Sequence, residues 1–266
     1  MSDVRTGQVT GSAAEVYDAL FVPALFIDWP PRVADAAALR PGDHVLDVAC
    51  GTGVLARHAA ARVQPNGRVI GLDLNEGMLE VARRRAPEVE WTPGEAEDLP
   101  FAGDRFDAVV SQFGLMFFSD REAALREAWR VLKPGGRLAV AVWARLEDTP
   151  GFFALSGLLH RLFGDEVKGA LDAPFALGEP DALRALFARA GISGARVATL
   201  PGTTRFPSLR DWLHAEIRGW TLSDRIDEAG YERVQREGAV ELARFVDARG
   251  AVEFASPAHV VSATKA

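Results

Sequence analysis

From His44 to Ala144 the chain alternates short apolar runs with stretches whose apolar residues recur at helical spacing. The runs at Val45–Val48, Gly71–Leu74, Val89–Thr92 and Phe106–Ser111, and another opening near Leu138, read as strands. Between them Val54–Gln64, Glu76–Ala86 and Arg121–Leu132 read as helices. In the last of these Ala124, Leu125, Ala128, Trp129 and Leu132 form one apolar face. Strand and helix alternating in this way predict a parallel, doubly wound α/β sheet. Lys133-Pro134-Gly135-Gly136 reads as a helix stop and turn.

The pattern continues less regularly on either side. Ser12–Phe21 reads as a helix, with Ser12 as N-cap and Glu15 completing a capping box. Pro23 is expected to stop it, ahead of an apolar segment from Ala24 to Trp29 and an Ala-rich helix to Leu39. Pro180–Ala190 is a further helix closed by Gly191, and Arg196–Leu200 and His259–Thr264 are predicted as the sixth and seventh strands. Two segments exceed a minimal sheet. Thr149–Leu171 is apolar and helical, and Pro207–Gly250 carries Leu209, Trp212, Leu213, Ile217 and Trp220 at helical spacing. Ligands in such sheets bind beyond the carboxyl ends of the strands. These segments and the N-terminal arm are therefore expected as walls and lid of a pocket, the later one only if its helices fold back over. The expected organisation is one domain over 1–266: an arm (1–42), a cofactor-binding core (43–145), and pocket helices with the last two strands (146–266).

The chemistry concentrates in Val45-Leu46-Asp47-Val48-Ala49-Cys50-Gly51-Thr52-Gly53, a strand running into an acid and then a glycine turn. Two cofactors compete for it. Gly51-x-Gly53-x-x-Ala56, with Asp73 at the next strand end, matches the dinucleotide fingerprint. Asp47 opposes that reading, because a carboxylate beside the turn repels a pyrophosphate in a low-dielectric cleft. S-adenosylmethionine places no phosphate there. It brings an ammonium and a sulfonium, both of which a carboxylate attracts.

Together with Glu95-Ala96-Glu97-Asp98-Leu99-Pro100-Phe101, Phe106–Ser111 and Arg130–Leu138, these residues resemble the class I S-adenosylmethionine-dependent methyltransferases. The resemblance covers roughly residues 43 to 145 and is strongest to the branch around the ubiquinone/menaquinone-biosynthesis C-methyltransferases. It implies a seven-stranded, mostly parallel Rossmann-like sheet with helical lid segments, the last strand entering antiparallel between the fifth and sixth. It also implies that Asp47, Ala49, Gly51, Thr52 and Gly53 form the methionine-binding turn and that Asp73 holds the ribose hydroxyls. Leu74 and Met78 would flank the adenine, Glu95 and the Ala96 amide would face its edge, and Gln112 would lie near the methyl group. Ala49 stands where the family usually has glycine, which is tolerable at negative φ. Tyr17, on the arm, could contact the donor.

Composition narrows the partners. At 266 residues, 48% apolar and 25% charged, the chain is an ordinary globular protein, and its net charge of −7 argues against nucleic-acid binding. Arg83-Arg84-Arg85 reads as a solvated helix face, and Glu97 and Asp98 as solvated loop charges. Cys50 is the single cysteine, so no internal disulfide forms. There is no apolar run of membrane-spanning length and no signal-peptide core, so a cytoplasmic protein is expected. No residue cluster has convincing metal spacing. Of the five histidines, His44 and His58 read as structural or solvent-facing and His259 as opening the last strand. His160 and His214, in the extra segments, are weak candidates for a base. Phe26, Trp29, Trp212 and Trp220 could line an acceptor pocket, with Trp212 leaning toward core. The expectation is methyl transfer from S-adenosylmethionine to a small, fairly apolar metabolite. An NAD-dependent oxidoreductase and a catalytically inactive scaffold subunit are the alternatives.

Overall fold

The computed structural model describes residues 11–219 and 222–266, with side chains from residue 14 onward. Trp220 therefore lies outside the described residues. In chain order the elements begin with an arm of α1 (Gly11–Val16), a π-helical stretch (Tyr17–Phe26) and α2 (Pro30–Ala36). Then follow β1 (His44–Val48), α3 (Val54–Val63), β2 (Arg68–Asp73), α4 (Glu76–Arg85), β3 (Glu90–Pro93) and β4 (Phe106–Gln112). Next come α5 (Arg121–Val131), β5 (Leu132–Trp143), α6 (Pro150–Phe163), α7 (Asp165–Asp172) and α8 (Pro180–Arg189). The chain closes with β6 (Arg196–Leu200), β7 (Thr203–Phe206), α9 (Leu209–Arg218), α10 (Glu228–Glu241), β8 (Val252–Ala255) and β9 (Ala258–Thr264).

The main sheet has seven strands in the order β3-β2-β1-β4-β5-β9-β6. β1 to β5 pair in parallel, while β9 runs antiparallel to both β5 and β6. The doubly wound α/β sheet and the inserted last strand are as the sequence predicts. Val45, Leu46, Val48, Ala108, Val109 and Val110 are all buried, because helices cover both faces of the central strands. The sheet reverses direction of growth at β1 and β4, and the loops after those two strands flank the resulting crevice.

Three predicted features come out differently. The helix already runs at Gly11, so Ser12 lies inside it and not at its cap. Pro23 does not stop the arm, which continues to Phe26 as a π-helix. Ile27 N–H there reaches back to Val22 O at 2.9 Å. The wider turn accommodates a ring that would clash with the i−4 carbonyl of an α-helix. Lys133–Gly136 is not a free turn but a bulged start of β5: the register passes from Phe106↔Leu132 to Ala108↔Arg137. Lys265, just after the last strand, supplies its partners, accepting from Gly135 N at 2.8 Å and donating to Gly136 O at 2.9 Å.

A small sheet of β7 and β8 was not predicted. Thr203-Thr204-Arg205-Phe206 is too polar to read as a strand, yet Thr204 is buried and its Oγ1 meets Ser256 Oγ at 2.7 Å. This ribbon sets the direction of α9 and α10. Gly202 presses against the Trp29 ring, Arg32 donates to Pro201 O, and Arg205 pairs with Asp28 at 3.2 Å. The segment between the sixth and last strands is thereby tied to the arm and does fold back over the crevice.

Candidate active site

The first half of the site is the loop leaving β1 and its neighbour on β2. Ala49, Gly51 and Gly53 all have positive φ (57°, 55° and 82°), so the chain coils tightly between strand and helix. Gly53 admits no side chain, since a Cβ would lie 2.3 Å from the Trp91 ring. Ala49 departs from expectation: its φ is not negative. An L-residue in this region costs about 1–2 kcal/mol, and the Ala49 methyl closes against Gly114. The Cys50 thiol is buried, and burial pushes its pKa up, so the thiolate is suppressed.

Asp73 ends β2 facing this loop. Its Oδ2 accepts from Gly51 N at 2.8 Å and its Oδ1 from Asn75 N at 2.9 Å. Burial raises its pKa, and the amides of Asn75, Gly51 and Leu74 pull it back. Asp47 is 1% exposed, and neither of its carboxylate oxygens has a hydrogen-bond partner. Burial, then the nearby Asp73 charge, hold its carboxyl well above the usual range. Only the Ala56 amide opposes them, without reaching hydrogen-bond geometry. A buried carboxylate without a donor is expensive to ionise. A cation delivered to this point would remove that cost.

A cavity of about 620 Å³ opens over the loop. Of the residues predicted to hold a cofactor, Tyr17, Ala49, Gly51, Asp73, Leu74, Met78, Glu95, Ala96 and Gln112 line it together. Asp47, Thr52 and Gly53 lie below the lining, Asp47 and Thr52 almost fully buried. Gln112 Nε2 donates to Phe26 O at 3.3 Å, joining β4 to the arm, while its buried Oε1 has no partner. Tyr17 stacks on Phe26 at 5.4 Å, and its hydroxyl is held neutral by burial and by Asp73 and Asp18.

The charge runs are solvated as read, and two of their arginines also tether the arm. Arg84 pairs with Glu15 at 2.8 Å and Arg85 with the buried Asp18 at 2.7 Å, fastening the arm to α4. Glu97 lines the cavity and accepts from Ser119 N at 2.9 Å and Asp120 N at 3.3 Å. Asp98 N donates to Glu95 O at 3.4 Å, which closes that turn.

The far end of the same cavity is aromatic. Phe21 and Phe26 come from the arm, Phe113, Phe117 and Phe118 from the loop after β4, Trp143 from β5, Phe152 from α6 and Phe175 from the turn after α7. Phe113, at φ 58°, stacks on Trp143 with centroids 3.9 Å apart. Trp29 braces both edge-on at 5.5 and 6.0 Å but does not line the cavity. Trp212 is fully buried in the core, also behind the lining.

Neither histidine suggested as a base reaches the cavity. His160 is on the surface of α6, 3.1 Å from Asp165, and His214 of α9 turns toward the Tyr231 hydroxyl at 3.5 Å. His259 is structural, its ring nitrogens 2.9 Å from Thr199 Oγ1 and 2.9 Å from Gly178 O. The acid at the aromatic end is Glu216, which sequence reasoning passed over. It is 6% exposed and its Oε1 has no partner. A signal existed: Trp212, Leu213, Glu216 and Ile217 fall on one helical face, so an acid interrupts an apolar stripe.

Comparison with known proteins gives the following. A methyltransferase domain family matches residues 45–136. The demethylmenaquinone methyltransferase of Symbiobacterium thermophilum is 43% identical over 133 residues, which are 47% of this chain and 53% of that protein. The chain thus spans about half of that relative's length. The ubiquinone/menaquinone biosynthesis C-methyltransferase UbiE of Ectopseudomonas mendocina is 33% identical over 217 residues, 74% of this chain and 85% of that protein. Among solved structures, phosphoethanolamine N-methyltransferase 2 of Haemonchus contortus, in complex with S-adenosyl-L-methionine, superposes with TM-score 0.63 at 18% identity. The match covers 97% of this chain and 58% of that one. It shows a shared fold.

Proposed function

Since the chain belongs to the class I S-adenosylmethionine-dependent methyltransferases, in the branch of the ubiquinone/menaquinone C-methyltransferases, we propose that it methylates a small, flat, largely apolar acceptor. The observation that carries the reading is the orphaned Asp47 carboxylate buried beneath the β1 loop, with Asp73 lining the cavity above that loop. A ligand with an ammonium group near Asp47 and a ribose at Asp73 satisfies both acids. The residues present therefore fit the donor.

In this reading Asp47 meets the amino-acid ammonium, directly or through water, and Ala49, Gly51, Thr52 and Gly53 shape the loop around it. Asp73 keeps outward lone pairs for the ribose hydroxyls while its other contacts hold Gly51 and Asn75. Leu74 and Met78 flank the adenine, with Glu95 and the Ala96 amide at its edge. Gln112 and Tyr17 stand between the two ends of the cavity. When bound, S-adenosylmethionine supplies an electrophilic methyl carbon. The chain's own work is to align the acceptor and exclude water, and the aromatic end does both. Its planar walls suit a ring of the kind the relatives' names carry, a reduced quinone methylated on carbon.

Isothermal calorimetry with S-adenosylmethionine, S-adenosylhomocysteine and NADH tests the donor. The expected result is micromolar or tighter binding of the first two and none of the third. Tight NADH binding with indifference to both adenosyl ligands overturns the reading. Mass spectrometry for a 14-Da gain on quinol and naphthol pools then identifies the acceptor.

A further inference from the structure

The methyl-transfer reading leaves one buried acid unused, and the geometry around it is specific. Glu216 sits one turn beyond Trp212 and less than one before Gly219 on the inner face of α9. Trp212 packs edge-on against Phe152 at 5.9 Å, and Gly219 lies against the Phe21 ring, where a Cβ would approach to 2.8 Å. Phe21, Phe152 and Glu216 all line the cavity. The carboxyl is thus set into an aromatic wall at the end away from the donor loop. Its Oε1 has no hydrogen-bond partner. Trp212 Nε1, one turn earlier on the same helix, is likewise without a hydrogen bond.

Resting on the proposed methyl transfer, we infer that Glu216 is the residue of this enzyme that recognises a hydroxyl of the acceptor and accepts its proton. Phe21, Phe152, Phe175, Leu171 and Leu222 add no charge to the lining they share with Glu216. Asp73, Glu95, Glu97 and Asp120 line the cavity too, but they belong to the loops after β2, β3 and β4 and, unlike Glu216, have backbone donors or solvent around them. Burial pushes the Glu216 carboxyl up to about 8, opposed only by the Trp212 indole. That value lies near those of activated phenols and close to neutral pH, where general-base catalysis is most effective. A positive donor in the same cavity favours the carboxylate form before reaction.

The step balances as follows. The acceptor O–H bond breaks, its proton passing to Glu216 and its electron pair staying on the acceptor. That pair, on oxygen or delivered through the ring to the ortho carbon, forms the new bond to the methyl carbon. The methyl–sulfur bond breaks with its electrons going to sulfur, which becomes a neutral thioether. After carbon attack the ring carbon loses its hydrogen as a proton to water, Glu216 returns its proton to oxygen, and the aromatic ring is restored. Negative carboxylate and positive sulfonium are both neutralised when oxygen is methylated, so charge is conserved.

The test uses the full chain saturated with S-adenosylhomocysteine and compares calorimetric binding of 2-naphthol with that of its non-hydroxylated isostere, 2-methylnaphthalene. The wild type should prefer the naphthol by about tenfold or more, the worth of one hydrogen bond to an ionisable partner. Glu216→Leu should erase that preference and Glu216→Asp should retain part of it. Glu216→Gln should keep naphthol binding within a few-fold but lower single-turnover methylation by about a hundredfold, the scale of general-base catalysis. Equal preference in wild type and Glu216→Leu, or no preference in the wild type, overturns the assignment. Affinity for S-adenosylhomocysteine should be unchanged in every variant. Its absence in the wild type sinks the donor reading separately.

Discussion

The two ends of the cavity are built by different means. The donor end comes from consecutive strand–loop units, and its polar side chains are set by the strands that carry them: Asp47 in β1, Asp73 closing β2, Gln112 closing β4. The acceptor end is assembled from the arm, the loop after β4, α6, the turn after α7 and α9, segments nearly two hundred residues apart in sequence. At the first end backbone amides offset the burial of Asp73. At the second, no backbone donor offsets that of Glu216. The donor end is therefore ordered by the sheet itself and the acceptor end by tertiary packing, the ordinary basis for one fold accepting varied substrates.

Mutations at the two ends should separate. The largest effect is expected at Asp73, which holds the Gly51 amide and, in the proposed reading, the ribose. Asp73→Ala should weaken S-adenosylhomocysteine about a hundredfold or more by calorimetry, as loss of charge-assisted hydrogen bonds requires. Acceptor-probe binding to the same variant should change little. Unchanged donor affinity would remove the ribose assignment.

Next in size is the pH dependence of stability set by Glu216. The unfolded chain releases this proton near the ordinary glutamate value of 4.5, whereas the folded chain keeps it to about 8. Between those limits the unfolded state binds fewer protons, so stability falls as pH rises. The slope approaches about 1.4 kcal/mol per pH unit for one group. Asp47 and Asp73, shifted in the same direction, add to it. Urea denaturation of the ligand-free protein should show this decline between pH 5 and 8. Glu216→Gln should flatten it and stabilise the protein at pH 7 by on the order of 3 kcal/mol. An equal slope in the variant would place the Glu216 proton affinity back in the ordinary range.

The smallest effect concerns backbone strain. Ala49→Gly should stabilise by about 1 kcal/mol, because glycine adopts φ 57° without the Cβ conflict. A lower melting temperature would show that the Ala49 methyl contributes more through its contact with Gly114 than it costs.

What could be read in the sequence follows the same division. The parallel sheet and the acids at the ends of β1 and β2 were legible because apolar runs, glycines and strand-end acids sit side by side in the chain, whereas the inserted last strand followed from the family resemblance. The sign of φ at Ala49 was not, since residue type alone favours the negative value that the tight β1 loop overrides. Pro23 misled because its usual effect assumes an α-helical turn, and the π-helical turn removes the clash. Arg85 is solvated as its run suggested, but its pairing with the buried Asp18, 67 residues away, could not be read from neighbouring residues. Glu216 was hidden by its neighbours: His214 and Arg218 make α9 look like a surface helix, and only the fold shows which face turns inward.

The claim beneath all of this is that Asp47 is held without a partner until a cation arrives. Calorimetry of S-adenosylhomocysteine binding across pH 4 to 8, repeated in buffers of different ionisation enthalpy, measures it directly. An ammonium reaching the buried carboxyl lowers its pKa, so binding should release protons, and Asp47→Asn should abolish that release along with about tenfold of affinity. Binding with no proton release in the wild type, or the same release in Asp47→Asn, would contradict it.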